Sequence, residues 1–394
     1  MFETLTTQPP DKIIALIGAY RSDPREDKID LGVGVYKDAD GATPVMAAVK
    51  AAEACLHAAQ DSKSYKALLG DGPFNAAMRD LVLADSVDPA RVAMAQAPGG
   101  TGALHLLFEL IQKADTGATV WISDPSWPNH AAMLKHLKIP MRVYRYFDAT
   151  TRMVDTAAMR ADLAEAGPRD IVVLHGCCHN PTGANLSEDD WSALADLALA
   201  RGFTPLIDFA YQGFGDGLDA DAAGLRAMAV KLPELMVAAS CSKNFGLYRD
   251  RVGVALALAA HADGAALIND NFASLNRMNF SFPPDHGAAL VAMILGDAAL
   301  KAQWQDELDA MRLRMQRLRE GLAEALRRET NDTRFDFIAQ HRGMFSRLGV
   351  LPDLVERIRA EHGVYIVGDS RINVAGLPET GLDRLARAMV AVGM

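Results

Sequence analysis

No apolar run in this chain approaches the roughly 18 residues a membrane-crossing helix needs, so no membrane span is expected. Positive charge is also short, with 40 Lys and Arg against 50 Asp and Glu and a net charge of -10. A broad nucleic-acid-binding face needs clustered cations and is therefore not expected. Any anion site must instead be built locally from a few arginines. Cysteine is scarce: Cys55, Cys177, Cys178 and Cys241 are the only four, and two are adjacent. Adjacent cysteines bridge only under strain, so there is no disulfide framework and a reducing compartment is expected. The opening MFETLTTQPPDKI has neither a basic nor an apolar stretch, which argues against a secretory signal. The expected location is the cytoplasm. Internal repeats and low-complexity segments are missing too.

What remains is an ordinary globular balance: 394 residues, 50% hydrophobic and 23% charged. That length buries a large core without staples and suits one large α/β domain with a smaller companion. Pro9-Pro10-Asp11 reads as a helix start, followed by Ile13, Ile14, Leu16 and Ile17 at helical spacing. LGVGVYKD (31–38) reads as a short extended piece, and an Ala-rich helix follows Pro44. From about residue 91 apolar, β-branched runs alternate with amphipathic stretches: VAMAQA, ATVWIS, MRVYRYF, IVVLHG, FTPLID, LMVAAS and VGVALAL. This rhythm predicts an α/β fold with a mostly parallel sheet covered on both faces.

Residues 297–328 read as one long charged helix with Leu300, Trp304, Leu308, Met311, Met315 and Leu318 along one side. It has the look of a bridge to an α+β C-terminal unit. The expected division is 1–44 as an N-terminal segment packing with the small domain, 45–296 as the large domain, and 297–394 as the small one.

Ligands in open parallel sheets sit beyond the carboxyl ends of the strands. Here the polar, Gly-rich segments fall at those ends: PGGTG, DPSWPNH, HGCCHNPTG, DFAYQG and SCSKNFG. Within them, Lys243 is either a solvated charge or a nucleophilic, Schiff-base-forming lysine, with Ser240, Ser242 and Arg251 placed to suit a phosphate. PGGTG (98–102) is either a tight turn or a phosphate cradle at a helix start. It lacks the third glycine of a dinucleotide fingerprint. Asp208 is either a helix cap or the partner of a protonated cofactor ring nitrogen. Trp127 suits ordinary core or stacking on an aromatic cofactor. Arg277 and Arg371 suit surface ion pairs or bidentate carboxylate clamps.

His175, Cys177, Cys178 and His179 invite a metal reading. Strand alternation would send Cys178 to the face opposite the other three, and no second ligand pair lies nearby, so no metal is assigned. A strand end followed by an NPTG turn, with Asn180 as a hydrogen-bonding group, is the better reading.

The order of these elements is more specific than any one of them. SYKALLG, GGTGAL, DPSWPNH, HGCCHNPTG, DFAYQGF, SCSKNFGLYRDRVG, SFPPDHG, HRGMFS and RINVAG together resemble the aspartate/aromatic aminotransferase branch of the fold-type I pyridoxal-phosphate enzymes. The match runs from about residue 11 to the C-terminus. RMNFSFPP and the overall length look closest to the bacterial aromatic-amino-acid aminotransferases. The resemblance implies a large domain with a seven-stranded sheet, a smaller α+β domain, and pyridoxal 5'-phosphate as cofactor.

It also implies roles. Lys243 matches the lysine that carries the cofactor covalently and later shuttles a proton. Asp208 matches the partner of the ring nitrogen, and Tyr211 and Asn180 the groups bonding the phenolic oxygen. Trp127 matches the stacking ring. Gly100, Thr101, Ser240, Ser242 and Arg251 match the phosphate cup, joined by Tyr65 from a neighbouring subunit. Arg371 matches the clamp on the substrate α-carboxylate, with Gly34 beside it. Arg277 matches an arginine lent by the partner to a distal carboxylate. His130 and His175 match supporting histidines around Asp208. A homodimer with shared sites follows.

Aspartate-specific members usually carry Tyr-Ser-Asn before the Pro-Pro. Here the residues are Phe280-Ser281-Phe282. The implied substrates are therefore aromatic as well as dicarboxylic amino acids with 2-oxo acids as acceptors. The alternatives are an aspartate aminotransferase with little aromatic activity and, remotely, a non-catalytic pyridoxal-phosphate sensor. Such sensors carry a DNA-binding module ahead of the fold, whereas only residues 1–10 precede the first family-like helix here.

Overall fold

The computed structural model describes residues 1–7 and 12–394. The helix start read at Pro9-Pro10-Asp11 lies outside the described residues; the helix itself spans Lys12–Ser22. The strands in chain order are β1 (Ile29–Asp30), β2 (Val92–Pro98), β3 (Thr119–Asp124), β4 (Met141–Arg145), β5 (Asp170–His175), β6 (Thr204–Phe209), β7 (Leu235–Ser240), β8 (Val252–Leu258), β9 (Phe345–Arg347), β10 (Val364–Tyr365) and β11 (Arg371–Asn373). All seven apolar runs singled out in the sequence are strands. LGVGVYKD is not: the extended pair falls just before it, at β1, and the two glycines bend the chain away.

β2 to β8 form one sheet in the order β2-β8-β7-β6-β5-β3-β4. Every pairing is parallel except those of β8, which runs antiparallel to β2 and β7. The reversed strand begins at the edge where its neighbours end, so Arg251 arrives beside Ser240. β7 and β8 are buried along their whole length, as a sheet covered on both faces requires. Side chains alternate between two apolar layers: Val172 and Leu174 enter one, Val173 the other. The helix Gly99–Ala114 packs in the second layer through Ala103, Leu104, Leu107 and Phe108.

A third core gathers Ile29, Leu31, Ile338, Leu348, Ile358, Ile372, Leu385 and Met389. The parallel pair β1–β10 and the antiparallel pair β9–β11 belong to it. FDFIA, which opens this part of the chain, forms a short helix, Phe337–Gln340.

The long helix spans Ala298–Thr330. The Asp297 carboxylate accepts from the backbone N–H groups of Ala299 and Leu300, which caps its start. Trp304, Leu308, Met311 and Met315 enter the first core, whereas Leu318, Leu322 and Leu326 enter the third. Trp304 is fully buried, stacks on Phe245 at 4.4 Å and donates its indole N–H to the Asn244 carbonyl at 2.7 Å. The helix thus props the turn that carries Lys243.

Trp304→Ala empties this site and should cost about 3–5 kcal/mol in denaturant unfolding. Trp304→Phe keeps the stack and loses mainly the hydrogen bond, about 1 kcal/mol. Equal losses in the two variants would show that the Asn244 contact, not the ring, holds the turn.

Candidate active site

Strand ends deliver the polar groups. β2 runs into the helix Gly99–Ala114, which presents Gly100 and Thr101 at its first turn. β3 leads to Trp127, which precedes the helix Pro128–Leu137. β5 leads to Asn180, β6 to Asp208 and Tyr211, and β7 to Ser240, Ser242 and Lys243. From segments beyond this sheet come Gly34, Phe345 of β9 and Arg371 of β11. These groups, with Arg251, line one cavity of about 270 Å³. Twelve of the fourteen site residues read from the sequence meet there. Tyr65 and Arg277 do not. Tyr65 is 84% exposed and stacks on Phe282 at 4.6 Å. Arg277 is exposed, touches Ser281 Oγ and lies 5.9 Å from the Phe282 ring.

Asp208 is buried at the end of β6, and His130 Nε2 lies 3.0 Å from its Oδ2. A carboxylate only accepts, so His130 donates from Nε2, while its Nδ1 lies 2.9 Å from Ser126 Oγ. Burial alone would push Asp208 up. The hydrogen bond and charge of His130, with Lys243 nearby, outweigh it and hold the carboxyl below its ordinary value. His175 sits 5.3 Å from the His130 ring, and burial drives its basicity well below normal. These are the supporting positions expected for both histidines.

Lys243 is partly buried, its Nζ 4.7 Å from the centre of the Tyr211 ring. Burial pushes its ammonium down to about 8; Asp208 opposes that shift and Arg251 adds to it. The amine is thus free in about a tenth of molecules at pH 7, far more than an ordinary lysine allows. Burial also raises the Tyr211 phenol, which keeps it protonated as a donor.

The anion end of the cavity is equally specific. Gly99 has φ +71, and a Cβ there would lie 2.5 Å from Arg251 Nη2. Only glycine lets the guanidinium lie over the helix start. Arg251 donates to Ser242 Oγ at 3.3 Å and to the Tyr248 carbonyl at 3.2 Å. Two buried hydroxyls, an arginine and a helix N-terminus converge on one spot, the donor set of a phosphate site. At the other end Arg371 is buried. It donates to the Gly32 carbonyl at 2.9 Å and to Asn180 Oδ1 at 3.3 Å, while its Nε has no partner. A buried guanidinium with a donor to spare fits an incoming carboxylate.

The alternation read for HGCCHNPTG needs correction. β5 ends at His175 and Cys178 takes φ +51, so the two-residue period stops there. The His175 and His179 rings pack together at 4.0 Å, but Cys177 parts from them and joins Cys178 beside Asp221. Asp221 spends both oxygens on the backbone N–H groups of Gly213, Gly215 and Asp216. Burial holds both thiols protonated.

Sequence reasoning did not single out Tyr248 and Phe345, which also line the cavity. Phe345 stands in HRGMFS and its ring lies 4.3 Å from the Arg371 guanidinium carbon. Tyr248, five residues past Lys243, accepts the Tyr36 backbone N–H at 3.1 Å.

A lysine, a buried carboxylate, a phosphate cup and a spare guanidinium in one cavity define an enzyme that works on amino acids through an aldehyde cofactor. Comparison gives the same answer: residues 26–389 match the family model of class I and II aminotransferases, and the chain belongs to that family. It is a pyridoxal-phosphate-dependent aminotransferase. Over 394 residues, all of both chains, it is 52% identical to the aromatic-amino-acid aminotransferase of Paracoccus denitrificans. It is 43% identical over 395 residues, again the full length of both, to the aspartate aminotransferase of Salmonella typhi. The aromatic-amino-acid aminotransferase of Burkholderia pseudomallei, solved covalently bound to pyridoxal phosphate, superposes with a TM-score of 0.97 at 39% identity, covering 100% of this chain and 99% of that one.

If the depressed Lys243 amine captures the cofactor, protein stripped of pyridoxal phosphate should bind it faster as pH rises. With a midpoint at about 8, the initial rate of absorbance change should climb about tenfold between pH 7 and 9. A rate still rising steeply above pH 10 would mean the lysine is an ordinary one.

Proposed function

We propose that this enzyme moves amino groups from aromatic and dicarboxylic L-amino acids to 2-oxoglutarate or another 2-oxo acid in two half-reactions. The observation that carries this reading is the pairing, in one cavity, of a weakly basic Lys243 with an Arg371 whose Nε lacks a partner. The bound cofactor supplies an aldehyde and an electron-withdrawing ring that accepts the charge left when a proton leaves the substrate α-carbon.

The chain's own residues do the rest. Gly100, Thr101, Ser240, Ser242 and Arg251 would hold the phosphate. Trp127 would stack on the ring, and Asp208, held ionised beside His130, would keep a proton on the ring nitrogen. Tyr211 and Asn180 would bond the phenolic oxygen. Arg371, with Gly34 close by, would bind the α-carboxylate and so aim the α-hydrogen. Lys243 Nζ would take the proton from the substrate α-carbon and carry it within the site.

Substrate breadth rests on Arg277. A buried guanidinium left without a carboxylate costs several kcal/mol, so a site that also takes aromatic rings needs this residue free to leave. Phe280 and Phe282 replace polar neighbours, and Arg277 is exposed against Ser281 and Phe282. The Paracoccus denitrificans relative is named for aromatic amino acids, and the Salmonella typhi relative, named for aspartate, keeps the narrower alternative open. The homodimer is read from the same two residues: Tyr65 and Arg277 lie outside their own cavity and would serve the partner's. The long helix enters both the first and the third core, as a bridge between units 45–296 and 297–394 would, and Ile29 and Leu31 join the third core, as expected of a segment 1–44 packing with the small domain. A cytoplasmic location agrees with four unbridged cysteines, three of them buried. Among the described residues no helix is long and apolar enough to cross a membrane.

Titrating the holoenzyme's visible absorbance with L-phenylalanine and, separately, L-aspartate tests the breadth. Loss of the band with both is expected; loss with aspartate alone would leave the narrower aspartate enzyme. Co-expressing Lys243→Ala with Arg277→Ala chains tests the shared site. Each variant alone should be poor with aspartate. Random pairing leaves one intact site in half of the dimers, so about a quarter of wild-type aspartate turnover should return. No recovery would mean that Arg277 serves its own subunit.

A further inference from the structure

Arg319 lies in the long helix, is fully buried, and has no carboxylate among its partners. Its Nε donates to the Gly343 carbonyl at 3.1 Å. Nη1 donates to the Ile338 carbonyl at 3.1 Å and to Ser346 Oγ at 2.7 Å. Nη2 reaches the carbonyls of Gly343 and Phe345, each at 2.7 Å, and that of Arg342 at 3.2 Å. One guanidinium therefore gathers the whole turn of chain from 338 to 346. The wiring continues. His341 Nε2–H donates to the Arg152 carbonyl at 2.7 Å, which leaves Nδ1 to accept from Ser346 Oγ at 3.0 Å. The Ser346 oxygen then accepts from Arg319, so each proton has one direction. Burial, with Arg319 beside it, drives His341 down to about 3 and keeps it neutral, which this pattern requires.

The gathered segment is a wall of the cavity. β9 pairs with β11 so that Phe345 faces Asn373 and Arg347 faces Arg371. The Phe345 ring lies over the Arg371 guanidinium and stands edge-on to Tyr211 at 6.2 Å. The segment is also tied to the loop that carries Asn180: Arg342 N–H donates to the Gly183 carbonyl at 2.9 Å and Arg347 N–H to that of Thr182 at 3.4 Å. Cys178 packs directly on Gly343, where any Cβ would come within 2.3 Å of its own.

Burying a guanidinium without a counter-charge is costly, and a purely apolar residue would fill the same space more cheaply. Five donors in one rigid fork do what an apolar residue does not: they fix the direction of several carbonyls at once. We propose that Arg319 is a positioning residue for substrate binding. Through the 338–346 backbone it sets Phe345 against Arg371 and so tunes the affinity of the carboxylate clamp. The inference rests on the reading of Arg371 as that clamp.

The test uses holoenzyme and 3-phenylpropionate, a carboxylate with no amino group to transfer, titrated by calorimetry. Arg319→Lys keeps the charge but offers fewer donors in a different geometry. It should weaken binding about tenfold, raise KM for phenylalanine to match, and leave kcat within about threefold. Unchanged affinity in the folded variant overturns the proposal, as does a fall in kcat with constant KM. Should Arg319→Lys fail to fold, Ser346→Ala leaves Arg319 in place and removes one acceptor. A shift of about threefold in the same direction supports the proposal, and none overturns it. Arg371→Leu separates the two readings. If it leaves 3-phenylpropionate binding unchanged, the clamp itself is wrong; if it abolishes binding while the other two variants do nothing, only the role of Arg319 is wrong.

Discussion

The cavity holds more positive charge than it can neutralise from within. Lys243, Arg251 and Arg371 face it, and among the described residues Asp208 is the one carboxylate on its wall. In water such an imbalance is trivial; at a partly buried site each uncompensated charge raises the energy of the folded chain. On the proposed reading ligands would balance it: a phosphate would answer Arg251, and a substrate carboxylate Arg371. Burial is the main cause of the lowered Lys243 ammonium, and the surplus adds to it, since Arg251 disfavours a second cation nearby. The charges that suit anions thus also favour the free amine, on a chain whose overall charge is negative.

Much of this was legible in the sequence, and for a physical reason. Strands buried on both faces must be continuous apolar runs, and all seven runs became strands, the edge strand β4 alone being largely exposed. Polar, Gly-rich loops at their carboxyl ends are forced to one edge by parallel topology, so ten of the twelve cavity residues, all but Gly34 and Arg371, could be gathered without coordinates. The order of short motifs added the chemistry.

What stayed hidden depends on contacts between segments far apart in the chain. The His130–Asp208 bond joins residues 78 positions apart; no local pattern announces it, and only the family resemblance put His130 near Asp208. Arg319 reads as one charge among many on a charged helix; only the fold reveals that it is buried there, as Arg314 is. Phe345 sits in a short segment with little periodicity. The face assignment at Cys177 failed because alternation holds only while the strand lasts, and β5 ends two residues earlier. Tyr65 and Arg277 are a different case: the resemblance assigned them to a neighbouring subunit's site, and in this chain they lie outside the cavity.

The long helix invites one more consequence. Trp304 braces the lysine turn and Arg319 braces the 338–346 segment, and both project from the same unbroken rod. Their separation of fifteen residues corresponds to about 22 Å of rise, a fixed gauge between the two walls of the cavity. Deleting a single residue from that stretch would shorten the gauge by only about 1.5 Å but rotate one brace by about 100° relative to the other. Loops in this fold can vary in length across lineages at small cost, whereas the stretch from 304 to 319 should accept substitutions but not changes of length.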